Sequence, residues 1–163
     1  MFAEPQAEHQ WLQQLVGDWT SEAECAMGSD QPATKTTGTE RVRMMGGLWV
    51  LAEGRGGMPG GSEHTWLMTL GYDIQKKKYL GTWAGSMMSH LWIYDGAMDA
   101  SKRILTLSAE GASMSGDGSM TTYQDIIEIK NPDYRTLTSR MLQPDGAWRQ
   151  FMTRTIAAKR SPA

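Results

Sequence analysis

The chain has 163 residues, of which 40% are hydrophobic and 21% charged, and its formal charge is −2. That length suits one domain over residues 1–163 with a sizeable core, and the composition is that of a folding chain, not a disordered one. The small net charge gives no electrostatic case for nucleic acid or an anionic membrane as partner, and no apolar run approaches the length of a membrane-spanning helix.

Cys25 is the single cysteine, so no internal disulfide can form. Residues 1–10 lack the basic start and apolar run of a secretion signal, and a reducing, cytoplasmic setting is the expectation. Seven tryptophans and thirteen methionines accompany only two phenylalanines. Tryptophan and methionine must therefore fill much of the interior, with methionine read first as gap filler and second as a ligand-adapted lining.

In chain order, the first element is a short helix over residues 5–16, entered through Glu4 and Pro5. Trp11, Leu12, Leu15 and Val16 form its apolar stripe, and Gly17 ends it. Such a helix could plug the end of a barrel or lie across its wall. Residues 17–27 then change period: Trp19, Ser21, Ala23 and Cys25 alternate with Asp18, Thr20, Glu22 and Glu24, a strand with acids on its wet face. A turn at 28–32 leads to a threonine-rich strand at 34–45 and, past Gly46-Gly47, to a third at 48–54.

Residues 54–63 are glycine-rich but lack the Gly-Lys-Ser/Thr ending of a phosphate loop, so a hairpin loop, or a mobile lid over a cavity, is expected there. Strands follow at 64–72, 79–86 and 89–94, the last closed by the turn dipeptide Asp95-Gly96. The chain continues with strands at 103–110, 120–130, 134–143 and 147–157, punctuated by Asn131-Pro132-Asp133 and Pro144-Asp145-Gly146. Residues 158–163 read as a polar tail. With about ten strands and no helix for a βαβ crossover, the pattern predicts an all-β, antiparallel up-and-down barrel with a short N-terminal helix, or failing that a two-sheet sandwich.

Gly17-Asp18-Trp19 after a short helix resembles the Gly-x-Trp signature of lipocalin-like barrels, in which the tryptophan packs inside the closed end. Gly46-Gly47-Leu48-Trp49, then Gly71-Tyr72-Asp73 with Lys77-Lys78-Tyr79 and Thr82-Trp83, and finally Met152-Thr153-Arg154 sharpen the likeness. Together they resemble the bacterial family known as domain of unknown function 1579, from about Glu8 to Thr155. The resemblance implies a single lipocalin-like β-barrel with a central cavity and no established reaction. The family's usual tyrosine before the final arginine is replaced here by Met152 and Thr153.

Candidates for chemistry are few. His9 is expected to be exposed on its helix. His90 shares strand parity with Trp92 and Tyr94, whereas Leu91 and Ile93 make the better core face and would send His90 outward. If the aromatic face lines a cavity instead, His90 becomes a hydrogen-bonding or acid–base group within it. Cys25, His64 and His90 show no metal-ligand spacing, so no metal and no cofactor is expected. Haem-binding barrels resembling nitrobindin use a late-strand histidine, and none follows His90. Met114-Ser115-Gly116 sits in a loop and is not a nucleophile elbow, and Cys25 reads as a small apolar filler. Glu40, Arg41, Arg43, Glu53 and Arg55 read as solvated rim pairs, with an inward ion pair as the sharper alternative.

The leading expectation is a barrel that binds a small apolar or amphipathic molecule, with no catalytic residues assigned. Its expected lining is Trp19, Trp49, Tyr72, Trp83, Met87, His90, Trp92 and Tyr94. The alternatives are an isomerase or hydrolase using His90 as acid–base beside an acid or tyrosine, and a homodimer formed through an exposed strand edge.

Overall fold

Alternation with a period of two sorts each strand into a wet face and a dry face, and ten such strands bury all their dry faces together by closing on themselves. The computed structural model, which describes residues 2–26, 32–57 and 61–159, has that closure. Helix α1 (Ala7–Gln13) precedes β1 (Gly17–Cys25), β2 (Thr34–Met45), β3 (Trp49–Gly57), β4 (Glu63–Asp73) and β5 (Lys78–Gly85). Then come β6 (Trp92–Met98), β7 (Ile104–Ala112), β8 (Met120–Asn131), β9 (Tyr134–Leu142) and β10 (Trp148–Ala158). Each strand pairs antiparallel with its sequence neighbours, and β1 closes the ring on β10 with Trp19 opposite Ala158 and Cys25 opposite Met152. Closure leaves no open strand edge, the feature on which an edge-paired dimer was to rest.

Helix α1 is shorter than expected. Pro5 precedes it and packs toward Gly47, and Gln6 is the N-cap. The expectation of an exposed His9 fails: the residue is 1% exposed. Its Nδ1 accepts from the Gln6 backbone N–H at 2.8 Å, and its Nε2 lies 3.1 Å from the Tyr72 carbonyl oxygen. The reason is the seat of the helix. It lies across the end of the barrel, so the face carrying His9 and Leu12, three residues apart, turns inward together. Trp11 Nε1 donates to the Lys102 carbonyl at 2.7 Å, and Trp19 Nε1 to the Leu15 carbonyl at 2.9 Å, which ties the plug to the rim and to the first strand.

Asp95-Gly96 does not close a strand; both residues lie within β6. Gly96 sits where a Cβ would come 2.9 Å from Tyr79 and 3.0 Å from Leu107, so its hydrogen lets three strands close up. The reversal comes instead after Met98, where the Asp99 carboxylate accepts from the backbone N–H groups of Arg103 and Ile104 and Lys102 takes φ 59°. Strand β3 likewise outruns its expected end, because Gly54, Gly56 and Gly57 keep pairing with Trp66, His64 and Glu63. The expected loop at 54–63 therefore shrinks, and its residues 58–60 lie outside the described ones, as do most of the turn at 28–32 and the tail from 160 onward. Among the described residues, no helix is long and apolar enough to cross a membrane.

Candidate functional site

The inner faces surround a cavity of about 670 Å³. It runs from Leu15, against the helical plug, to the opposite end of the barrel, where Met87, Met88, Met114 and Met120 stand exposed around the lining. Val42, Val50, Met68, Leu70, Ala109, Ile127, Leu137 and Ile156 make much of the wall apolar.

Strand β6 decides the identity of one wall. Leu91 and Ile93 are 49% and 67% exposed, while Tyr94 is buried and Trp92 packs against the core. The aliphatic pair thus faces water and the aromatic pair faces the lumen, opposite to the expected core face. Hydrophobicity alone misjudged it because Trp92 covers Gly111, where a Cβ would come within 2.2 Å of the ring. That close seat exists only on the aromatic side.

Of the eight expected lining residues, Trp83, Met87, His90, Trp92 and Tyr94 border the cavity. Trp19, Trp49 and Tyr72 stand elsewhere. Trp19 lies buried at the closed end, bonded to Leu15. Trp49 packs over Gly71. Tyr72 belongs to the cluster of His9 and Tyr79 beneath the plug. His90 sits at the rim, its Nε2 2.9 Å from the Glu110 carbonyl oxygen and its ring edge-on to Trp92 at 4.7 Å. Neither an acid nor a tyrosine hydroxyl bonds to it among the described residues, so the partner that acid–base work requires is not beside it.

The polar groups of the lumen are different ones. Glu40 points inward and pairs with Arg135 at 3.3 Å, with side chains 11% and 6% exposed. It also accepts from Trp66 Nε1 at 2.9 Å, and Arg135 lies over the Trp19 ring at 4.1 Å. The inward ion pair therefore exists, but its cation comes from β9. Arg41, Arg43 and Arg55 make the solvated pairs expected of them, with Asp18, Glu53 and Glu63. On the other wall Asp125 accepts from Tyr94 Oη and Ser139 Oγ, both at 2.5 Å. Burial pushes the Asp125 carboxyl up, against the pull of those two hydroxyls and of Arg154. The Tyr94 phenol is held well above its ordinary value by burial and then by the Asp125 charge.

Arg154 reaches from β10 across the lumen to lie over the Trp66 ring at 4.4 Å. Its Nε is buried without a partner, and so is Nδ1 of His64, whose ring packs against Trp66 at 5.2 Å. Burial first, then the Arg154 charge, holds His64 below its usual range. Cys25 also borders the cavity, its thiol pushed up by burial. Among the described residues, no three His, Cys, Asp or Glu side chains converge to hold a metal ion.

A family model described as protein of unknown function (DUF1579) matches residues 4–157, and the chain belongs to that family. No curated protein matches it in sequence. In fold it is similar to Rv2717c from M. tuberculosis, with TM-score 0.68 and 12% identity over 96% of this chain and 100% of that one. It is also similar to the S-type phycobiliprotein lyase CPES from Guillardia theta, with TM-score 0.67 and 10% identity over 96% and 95% of the two chains. A third similar barrel, EF1p2_mFAP2b bound to DFHBI, has TM-score 0.50 and 11% identity over 93% of this chain and 98% of that one.

Proposed function

We propose that this DUF1579 barrel is a carrier or receptor that binds a small apolar or amphipathic molecule in its lumen. The observation that carries the reading is the cavity itself: about 670 Å³, mostly apolar, with a few inward polar groups. That is the size and chemistry of a small-molecule site, and a lumen kept open forgoes the packing that would stabilise an ordinary core. A barrel of the same general fold carries DFHBI, which agrees with use of the lumen. The methionines at the open end give an entrance that can adapt to an apolar shape.

Trp66, Trp83 and Trp92 border the cavity, so occupancy reads out in intrinsic fluorescence. Titration with 1-anilinonaphthalene-8-sulfonate and with a neutral apolar dye such as Nile red gives saturable 1:1 binding with quenching. Ala109→Trp, which fills the lumen from β7, abolishes it while leaving the circular dichroism of the barrel intact. Binding unchanged by the filled lumen, or absent for every probe with the folded protein, overturns the reading.

A further inference from the structure

Two carboxylates and two guanidinium groups face the lumen: Glu40, Asp125, Arg135 and Arg154. Three of them have an ion pair or a hydrogen bond. Arg135 pairs with Glu40 through Nη2 while its Nη1 stays buried without a partner, and the second Glu40 oxygen is taken by Trp66 Nε1. Asp125 has one oxygen on the Tyr94 hydroxyl and the other on Ser139. Arg154 alone makes neither an ion pair nor a hydrogen bond among the described residues, although it carries the five-donor fork suited to a planar carboxylate. It stays charged despite burial, because a guanidinium does not give up its proton in a protein. Its guanidinium lies over the Trp66 face, within the field of the Glu40 and Asp125 carboxylates but bonded to neither, and the ring fixes its plane and leaves its edge for a partner. The orphaned Nδ1 of His64 lies against the same indole, so two unfilled polar atoms meet around one ring in an otherwise apolar chamber.

We propose, building on the cavity reading above, that the occupant is an amphipathic monocarboxylate, its carboxylate held by Arg154 beside Trp66 and its apolar body lying toward the methionine-bordered end. A planar fork matches one carboxylate bidentately, and the mostly apolar wall suits the hydrophobic body of an amphipathic acid. Burial out of water makes that charge-assisted pair strong, since the unfilled guanidinium Nε–H and the acid gain partners at once.

The experiment compares decanoate with decanol by calorimetry on the full chain, at a pH where the acid is ionised. The expected result is binding of both, with decanoate at least about tenfold tighter, as one charge-assisted pair implies. Arg154→Met loses the preference for the acid and keeps decanol binding; Arg154→Lys restores part of the preference. Decanoate, and not decanol, raises the His64 titration midpoint followed by NMR in the unmodified protein, because an anion beside Arg154 offsets the charge that holds His64 low. Equal affinity for acid and alcohol, or an Arg154→Met variant that keeps the preference, overturns the carboxylate proposal and leaves the cavity reading standing. Failure of decanol and decanoate alike overturns both. The His64 shift needs no variant and decides the matter even if Arg154→Met does not fold.

Discussion

Gly54 stands directly opposite Trp66 in the β3–β4 ladder, and the indole occupies the space a side chain on Gly54 would need: a Cβ there would lie 2.0 Å from the ring. The ring has little freedom to retreat. Its Nε1 is bonded to Glu40, and Arg154 covers it. The pairing of a glycine with a tryptophan is therefore what lets the Trp66 indole lie flat and leave the cavity open.

Gly54→Ala is expected to destabilise the barrel by about 1–3 kcal/mol, the usual cost of overpacking an interior that cannot shift. Urea denaturation measures it. Adding Trp66→Leu removes the colliding ring, so the double variant is expected to cost less than the sum of the two single changes. Simple additivity would show that the backbone moves instead of the ring.

Arg135 and Glu40 form the buried ion pair of the closed end, with Trp19 beneath the guanidinium. Arg135→Met leaves the Glu40 carboxylate buried with one indole N–H for a partner, and is expected to cost about 3–5 kcal/mol. Glu40→Gln in that background keeps an acceptor for Trp66 and removes the stranded charge, so the double variant is expected to be more stable than Arg135→Met alone. Chemical denaturation of the four proteins of the cycle checks both statements.

These groups mark where reading the sequence stops. Period-two alternation puts Arg135 on one face with Leu137 and Ser139, Asp125 with Tyr123 and Ile127, and Arg154 with Met152 and Ile156, and these faces turn inward, yet none of the three charges stood among the expected lining residues. The strands and their order were legible because each repeats with period two between turn residues. The inward charges were within reach of the same rule but look like surface residues by type, and only closure shows that their faces have no water on them. The inner wall of β6 was only half legible: His90, Trp92 and Tyr94 stand in the expected lining, but Leu91 and Ile93 look like the better core face, and the choice depends on Gly111 lying beside Trp92 across the sheet. The burial of His9 was hidden for a similar reason: it follows from the helix lying over the barrel's end, and nothing within residues 5–16 specifies that.

His9 gives a prediction about the plug. With Nδ1 accepting from the Gln6 N–H, the proton belongs on Nε2, where it is donated to the Tyr72 carbonyl. His9→Ala removes both bonds and is expected to cost about 1–3 kcal/mol. The loss should be local as well as global: the Gln10 amide, bonded to the Gln6 carbonyl in the first turn, exchanges with solvent faster in the variant, while the β8–β9 amides keep their order of protection. Uniform acceleration across the barrel would mean that the plug and the strands unfold as one unit.

Asp125 sets the direction of a pH dependence. In the unfolded chain its carboxyl titrates near the ordinary value of about 4; in the barrel, burial raises it. Below the unfolded value both states hold the proton and the group contributes no slope. Between the two values the folded state holds a proton that the unfolded state has released, so stability falls as pH rises through that window, and above it the whole cost is present. Asp125→Asn removes this decline while keeping an oxygen and an amide for the Tyr94 and Ser139 hydroxyls, which can each donate or accept. Arg154→Met acts the opposite way, since the Arg154 charge is one of the influences holding Asp125 down. The decline with pH is therefore expected to extend to higher pH in Arg154→Met than in the unmodified protein, and to vanish in Asp125→Asn. Denaturant midpoints collected from pH 4 to pH 8 decide it, and a decline that survives Asp125→Asn would assign the slope to a different buried group.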